Sequence, residues 1–157
     1  MLFSFLFLMV VEMRFGVSCF IADDVNEVKK VKEKKVEGVY IQALRADISD
    51  NCRFFSMVAW QTLTAKMEGS LIARRPEIDI LLRIAGTTQI ERAIDEFGLS
   101  EEGKNILLIF GDALKIRELT KGIGLRRLKE RTLTKRELYS IEKAALLSAE
   151  RFRHEKA

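Results

Sequence analysis

The hydrophobic pattern between residues 76 and 110 predicts two amphipathic helices followed by a strand. Pro76 marks the start of the first helix, because its φ is already fixed and the opening turn requires no backbone donor from it. Gly86 ends this helix, since glycine adopts the left-handed conformation without steric cost. The buried face of the helix consists of Ile80, Leu81, Ile84 and Ala85.

The second helix follows at once and ends at Gly98. Thr88 and Glu91 have the spacing of a capping box, in which each side chain bonds to the backbone N–H of the other residue. The apolar face of this helix consists of Ile90, Ala93, Ile94 and Phe97. Residues 105–110 then form a continuous apolar run, which is typical of a buried strand.

Two further strands are predicted nearer the N-terminus. Apolar residues alternate along residues 15–21, and a second such segment covers residues 39–46. Residues 125–133 carry leucines among basic residues and leave two alternatives open, a basic helix or an edge strand that returns to the sheet.

Four more helices are predicted around these strands. They cover residues 25–31 after a cap at Asp23 or Asp24, a long helix opened by Asp47 or Ser49 and ended by Gly69, residues 113–121, and a terminal helix that starts with a capping box of Thr134 and Glu137. Trp60 falls off the apolar stripe of the long helix, where it would cover a neighbouring element or a partner. We favour a core position, because tryptophan is usually largely buried. The predicted fold class is α+β, with a small, mostly antiparallel sheet packed against several amphipathic helices in two layers.

Length and composition predict a single α/β domain over residues 13–157. The chain of 157 residues is 48% hydrophobic with one proline, so it can bury a core and suggests no long linker. Residues 1–12, MLFSFLFLMVVE, are an apolar N-terminal extension, shorter than the roughly 20 residues that span a bilayer. They come from a misassigned start, since Met13 follows, or form an edge strand or apolar arm.

The charge balance favours an anionic partner. Lysine and arginine number 27 against 23 acidic residues, which gives a net charge of +4 and a pI of about 9.1. Five of the lysines cluster within residues 29–35. The cluster is either a phosphate-facing patch or a solvated helix or loop, and the second alternative is favoured because surface lysines are common.

Residues suited to catalysis are scarce. His154 is the sole histidine and lies near the end of the chain, and no GxxxxGK[ST] or GxGxxG motif occurs. We therefore expect a binding protein that is not an enzyme, with no cofactor, metal or small-molecule substrate. Cys19 and Cys52 have neither CxxC spacing nor a disulfide-dense context, so the expected location is a reducing compartment, the cytoplasm.

Three arginines, Arg74, Arg75 and Arg83, flank the first helix. Arginine grips phosphate bidentately and stacks on bases, and the start of the second helix offers free backbone N–H groups. This combination suits phosphate or a single-stranded RNA end. The alternative is a solvated loop at Arg74 and Arg75, with Arg83 paired to Asp79 at i, i+4.

Residues 77–110, EIDILLRIAGTTQIERAIDEFGLSEEGKNILLIF, resemble the small kinase-binding subunit of the KEOPS/EKC tRNA-modification complex, the PRPK-binding protein family. The family has an apolar helix, a Ser/Ala-Gly turn, a Gln-Ile or Asn-Ile step, an acidic-apolar helix that ends in Phe-Gly, and an apolar strand. Residues 40–47, YIQALRAD, resemble another strand end of that family. Many members carry a basic residue where this chain has Thr88.

The resemblance implies a regulatory, non-catalytic subunit that binds the 3′ CCA end of tRNA and the KEOPS kinase/ATPase subunit. Such a subunit supports N6-threonylcarbamoyladenosine modification, whose chemistry belongs to another subunit. The expected RNA-binding residues are Lys66, Arg74, Arg75, Arg83 and Gln89. Lysine and arginine would meet phosphate, Gln89 would contact base edges, and the kinase surface would be an exposed apolar patch on helices. The alternative is a protein-interaction module that regulates a kinase partner without binding RNA.

Overall fold

The structure is a computed structural model that describes the backbone of residues 15–155 and the side chains up to Glu150. The predicted N-terminal extension, residues 1–12, lies outside the described residues, and so does the side chain of His154. None of the helices in the described range is long and apolar enough to cross a membrane.

The described residues contain four strands and six helices. The strands are β1 (Phe15–Ala22), β2 (Val39–Arg45), β3 (Asn105–Asp112) and β4 (Arg126–Arg127). The helices are α1 (Val25–Lys32), α2 (Cys52–Glu68), α3 (Pro76–Ala85), α4 (Ile90–Phe97), α5 (Ala113–Thr120) and α6 (Lys135–Glu155). The strands form one antiparallel sheet in the order β2-β3-β1-β4, which confirms the α+β fold class.

The central strand β3 explains why helices cover both faces of the sheet. Its apolar run is continuous, and successive side chains point to opposite faces of the sheet. Apolar side chains are therefore buried on both faces. Leu108 and Phe110 belong to the core under α2, α3 and α4, whereas Leu107 and Ile109 belong to a second core under α1 and α5. The sequence predicted two layers. The second apolar face of β3 requires a cover of its own, so the smaller helices form a third layer.

The residues at helix ends predicted two of these ends correctly. Gly86 ends α3 in the left-handed conformation at φ 70°, with its N–H bonded to the carbonyl of Leu82 at 2.8 Å. The capping box at the start of α6 is also confirmed. The Thr134 N–H donates to Glu137 Oε1 at 3.0 Å, and the Glu137 N–H donates to Thr134 Oγ1 at 3.1 Å.

Two predicted helix starts are wrong. The N-cap of α4 is Gln89, one residue later than the expected Thr88, and the Gln89 N–H donates to Thr87 Oγ1 at 3.1 Å instead of to a capping box. The long helix α2 starts at Cys52 behind Asn51, later than the expected caps at residues 47 and 49. Asn51 is fully buried, and its side chain bonds both the Arg53 N–H and the backbone of Arg131, a distant contact that fixes this start.

Three further features differ from the expectations or resolve them. Of the two alternatives for residues 125–133, the structure has the edge strand, with β4 paired to β1. Trp60 is 45% exposed and packs edge-to-face on Phe15, so the core position is wrong. A disulfide joins Cys19 in β1 to Cys52 at the start of α2, with 5.8 Å between the Cα atoms. The sequence analysis expected a reducing compartment because the two cysteines show no disulfide pattern, and this bond removes that argument for a cytoplasmic location.

Candidate nucleic-acid interface

Four cations from two distant parts of the chain line one cleft beside the edge strand β2. They are Lys32, Lys34, Lys35 and Arg75, and we call the space between them the basic cleft. Its volume is about 740 Å³, and its lining carries two carboxylates, Glu37 and Glu77. Positive charge therefore exceeds negative charge among the lining residues, which favours an anionic ligand.

The lysines reach the cleft because α1 ends beside the start of β2. Val28 and Val31 are buried against the second core, which fixes the orientation of α1 on the sheet. The connection to β2 is tight, since the Lys34 N–H donates to the Val31 carbonyl at 3.0 Å and the Val39 N–H donates to the Val36 carbonyl at 3.2 Å. The exposed lysines of this segment therefore stand at the mouth of the cleft.

Arg75 enters the cleft from the opposite side as the N-cap residue of α3. Its side chain is 73% exposed, and its Nε lies 3.6 Å from Oε2 of the partly buried Glu77, a long ion-pair distance that restrains the arginine only weakly. Arg74 is also exposed, directly beside it. Both arginines are accessible to a ligand, as the RNA hypothesis requires.

The cations in the basic cleft repel one another. Burial lowers the pKa of Lys32, the positive charge of Arg75 lowers it further, and the negative charge of Glu77 opposes the shift. An anion bound between Lys32 and Arg75 would relieve this repulsion and favour the protonated amine.

Arg83 is not accessible, because it is an internal ion-pair partner. It is 2% exposed, and its Nε donates to Asp79 Oδ1 at 2.6 Å. Its remaining N–H groups donate to Ser148 Oγ at 3.0 Å and to the Ala144 carbonyl at 3.4 Å, both on α6. The structure therefore has the i, i+4 pair of the alternative interpretation, and the RNA role expected of Arg83 finds no accessible donor.

Lys66 and Gln89, the other two expected RNA-binding residues, do not line the basic cleft. Lys66 lies in the last turn of α2, where its ammonium is 5.7 Å from the ring centre of Tyr40 and lines a neighbouring cavity of about 270 Å³. Gln89 is exposed at the start of α4. The ten residues of α3, roughly 15 Å of helix, separate it from Arg75.

A second cleft next to the Gly86 turn is less suited to an anion. Its volume is about 550 Å³, and the side chain of Lys143 packs against Gly86 there. Its lining carries Asp47, Asp50, Glu96 and Glu137 against Arg131, Arg136 and Lys143, while the charge of Arg83 is already paired with Asp79, so the cleft has no excess of positive charge. The charge excess therefore selects the basic cleft as the candidate interface.

The sequence predicted one side of this interface. It indicated Arg75 from its place before Pro76, but it allowed two interpretations of the lysine cluster, a phosphate-facing patch or a solvated segment. The signal that links the two is the valine spacing of α1, which turns one face of that helix toward the sheet. Only the fold places the cluster opposite Arg75, which follows it by forty positions or more.

A scan against protein-family models finds no match, and a search of curated proteins finds none either. Among the described residues, no group of three or more histidine, cysteine or acidic side chains is placed to hold a metal ion.

Proposed function

We propose that this protein is a non-catalytic adaptor that binds tRNA through the basic cleft, as a KEOPS subunit of the kinase-binding type. Its task would be to hold the 3′ CCA end of tRNA and the kinase/ATPase subunit together during threonylcarbamoyladenosine modification. The convergence of Lys32, Lys34, Lys35 and Arg75 on one cleft carries this proposal. The resemblance of residues 77–110 supplies the choice of complex.

The chemistry of the cleft suits the backbone of RNA better than its bases. Lysine ammonium groups act as point charges on phosphate oxygens, while the planar guanidinium of Arg75 grips two oxygens at once. Such contacts position a nucleic acid without reading its sequence. An adaptor needs only this, because holding the acceptor end raises the effective concentration of the rest of the tRNA at a neighbouring subunit.

An electrophoretic shift assay at stated salt tests the proposal. Intact tRNA transcripts are compared with transcripts that lack the terminal CCA, using the wild-type chain and the double variant Lys34→Glu/Lys35→Glu. We expect intact tRNA to bind more tightly, and the variant to lose on the order of tenfold or more in affinity with a shallower salt dependence.

The matched control is Arg126→Glu/Arg127→Glu, which changes the net charge equally on the opposite edge of the sheet. Equal losses for the two double variants would reject the basic cleft as the binding site. Equal affinity for both transcripts would reject recognition of the acceptor end.

An exposed apolar stripe favours protein docking as the second part of the function. Met57 and Trp60 are each 45% exposed and Met67 is 55% exposed, and all three lie along α2. This stripe suits contact with a partner protein, for which we propose the kinase/ATPase subunit. A protein-interaction module without RNA affinity is the competing function. It predicts no specific tRNA shift with the wild-type chain, and therefore no loss in an Arg74→Glu/Arg75→Glu variant. Trp60→Ala should weaken co-purification with the kinase and leave tRNA binding intact.

A further inference from the structure

One edge of the sheet borders the basic cleft. β2 is the terminal strand in the order β2-β3-β1-β4, so within the described residues it pairs on one side only. Val39, Ile41 and Gln42 of this strand line the cleft. An unpaired strand edge in a groove is a template for another extended chain.

The hydrogen-bond pattern with β3 shows which backbone groups of β2 face outward. Gly38 O accepts the Asp112 N–H at 3.0 Å and the Ala46 N–H donates to Lys104 O at 3.3 Å, one at each end of the ladder. In an antiparallel pair these bonds alternate from residue to residue. With Val39 opposite Gly111, the residues that turn their N–H and C=O away from β3 are Val39, Ile41, Ala43 and Arg45.

Ile41 provides the accessible part of this edge. The Val39 N–H is occupied by the Val36 carbonyl, and the Ala43 carbonyl accepts the Gln42 side chain at 2.9 Å. Ala43 is fully buried, whereas Ile41 is partly exposed and lines the cleft. Within residues 15–155, Ile41 therefore presents one donor and one acceptor toward the cleft.

The walls of the cleft are apolar and its mouth is basic. The apolar lining includes Val36, Ile41, Ile78, Leu81, Ile94 and Leu99. None of the described lining residues is aromatic, so the cleft offers no platform on which a nucleobase could stack. Aliphatic walls, cations at the mouth and an open strand edge match an extended peptide that carries both apolar and acidic side chains.

We propose that β2 accepts an extended, acidic and apolar segment of a partner protein, which adds to the sheet through the N–H and C=O of Ile41. Apolar side chains on one face of the segment would pack on Ile78 and Ile94, which are accessible in the cleft, while carboxylates on the opposite face would meet Lys34 and Lys35. This inference goes beyond the proposed RNA function and does not depend on it, because the backbone of β2 provides the pairing. Since both ligands use Lys34 and Lys35, the segment and tRNA would compete for the basic cleft.

A pair of modified peptides tests the strand pairing directly. The probe is a short fluorescein-labelled peptide of alternating valine and glutamate, and its binding is followed by fluorescence anisotropy. Two further versions of the peptide carry N-methyl groups, one on all valines and the other on all glutamates. Each version thus blocks the N–H groups along one edge of the extended peptide. Strand addition uses only one edge, so one version should bind like the parent peptide and the other should lose about tenfold or more.

A substitution in β2 provides the second measurement. Ile41→Pro removes the outward N–H and leaves the ladder to β3, a position where an edge strand tolerates proline. We expect it to weaken the parent peptide about tenfold, while the control Ile41→Val, which keeps the N–H, binds normally. Circular dichroism verifies that both variants are folded. If Ile41→Pro is unfolded, the two methylated peptides, measured with the wild-type chain, test strand addition by themselves.

Several outcomes overturn this inference. Equal binding of the two methylated peptides, or no binding of the parent peptide at millimolar concentration, rejects strand addition. If a single-stranded oligoribonucleotide binds with an affinity that falls in Ile41→Pro while the peptide does not bind, the strand edge belongs to RNA. A failed tRNA shift with intact peptide binding rejects the proposed function alone, so the two results are distinguishable.

Discussion

Arg83 and Asp79 form an ion pair inside the helical layer, with 2.6 Å between Nε and Oδ1 and side-chain exposures of 2% and 0%. The carboxylate also accepts the Thr62 hydroxyl at 2.7 Å and the Ile72 N–H at 2.7 Å. Because Ile72 belongs to the segment that leads into Arg74 and Arg75, the pair also anchors the backbone before the basic cleft. One buried carboxylate thus links α2, α3 and the arginine segment.

Asp79→Ala should destabilise the protein by about 3 to 5 kcal/mol, because it leaves the guanidinium of Arg83 buried without its counter-charge. Urea denaturation followed by circular dichroism measures the change. The matched control is Glu96→Ala, which removes the acid of the exposed Arg92–Glu96 pair on α4. That change should cost less than about 1 kcal/mol. Similar losses for the two variants would contradict the structural role of Asp79.

The disulfide between Cys19 and Cys52 should contribute about 3 to 4 kcal/mol to the free energy of unfolding, because it restricts the unfolded chain across a separation of 33 residues. Urea midpoints with and without a dithiol reductant measure this contribution. The variant Cys19→Ser/Cys52→Ser serves as the control, since reductant should not change its midpoint. Mass spectrometry of the purified protein must show the loss of two hydrogen atoms, and a fully reduced mass would contradict the bond.

Glu137 should make stability depend on acid. Partial burial raises its pKa, but hydrogen bonds from Thr134 and from Ser49, at 2.7 Å, outweigh burial, so the pKa lies below its ordinary value of 4.5. The unfolded chain then binds the proton more tightly, and the contribution present above pH 4.5 is lost as pH falls through the lower folded pKa. Glu137→Gln keeps the capping box, since glutamine also serves at this position, and should reduce the acid-dependent loss of stability, as measured by urea midpoints against pH. Identical pH profiles would contradict this assignment.

Gly111 should not tolerate a side chain. It has a φ of 132°, and a Cβ there would overlap the carbonyl oxygen of Gly38, the residue just before the paired strand β2. Gly111→Ala should therefore destabilise the protein by about 2 kcal/mol or more, through strain and separation of β2 from β3. Gly124→Ala is the control, because nothing lies within 4 Å of its added Cβ. Thermal unfolding should show a large shift for the first variant and a negligible one for the second.

The fold was largely predictable where neighbouring residues decide the conformation. Pro76 and Gly86 bound α3 in the structure as in the sequence, because their preferred backbone angles need no distant partner. The start of α2 was not predictable in this way. Its cap is Asn51, which bonds to Arg131 eighty positions later.

The residues of the candidate site also separate into those fixed by neighbours in sequence and those fixed by packing. The sequence by itself determined that Arg74 and Arg75 precede a helix start, that residues 29–35 are rich in lysine, and that β3 is apolar on both faces. These features depend only on the order of neighbouring residues. Only the tertiary structure decided that Arg83 is internal, that Gln89 lies at the far end of α3, and that the lysines face Arg75. The physical reason is packing. An i, i+4 spacing brings Arg83 to Asp79, but burial of the pair depends on α6, more than sixty positions away, folding over it.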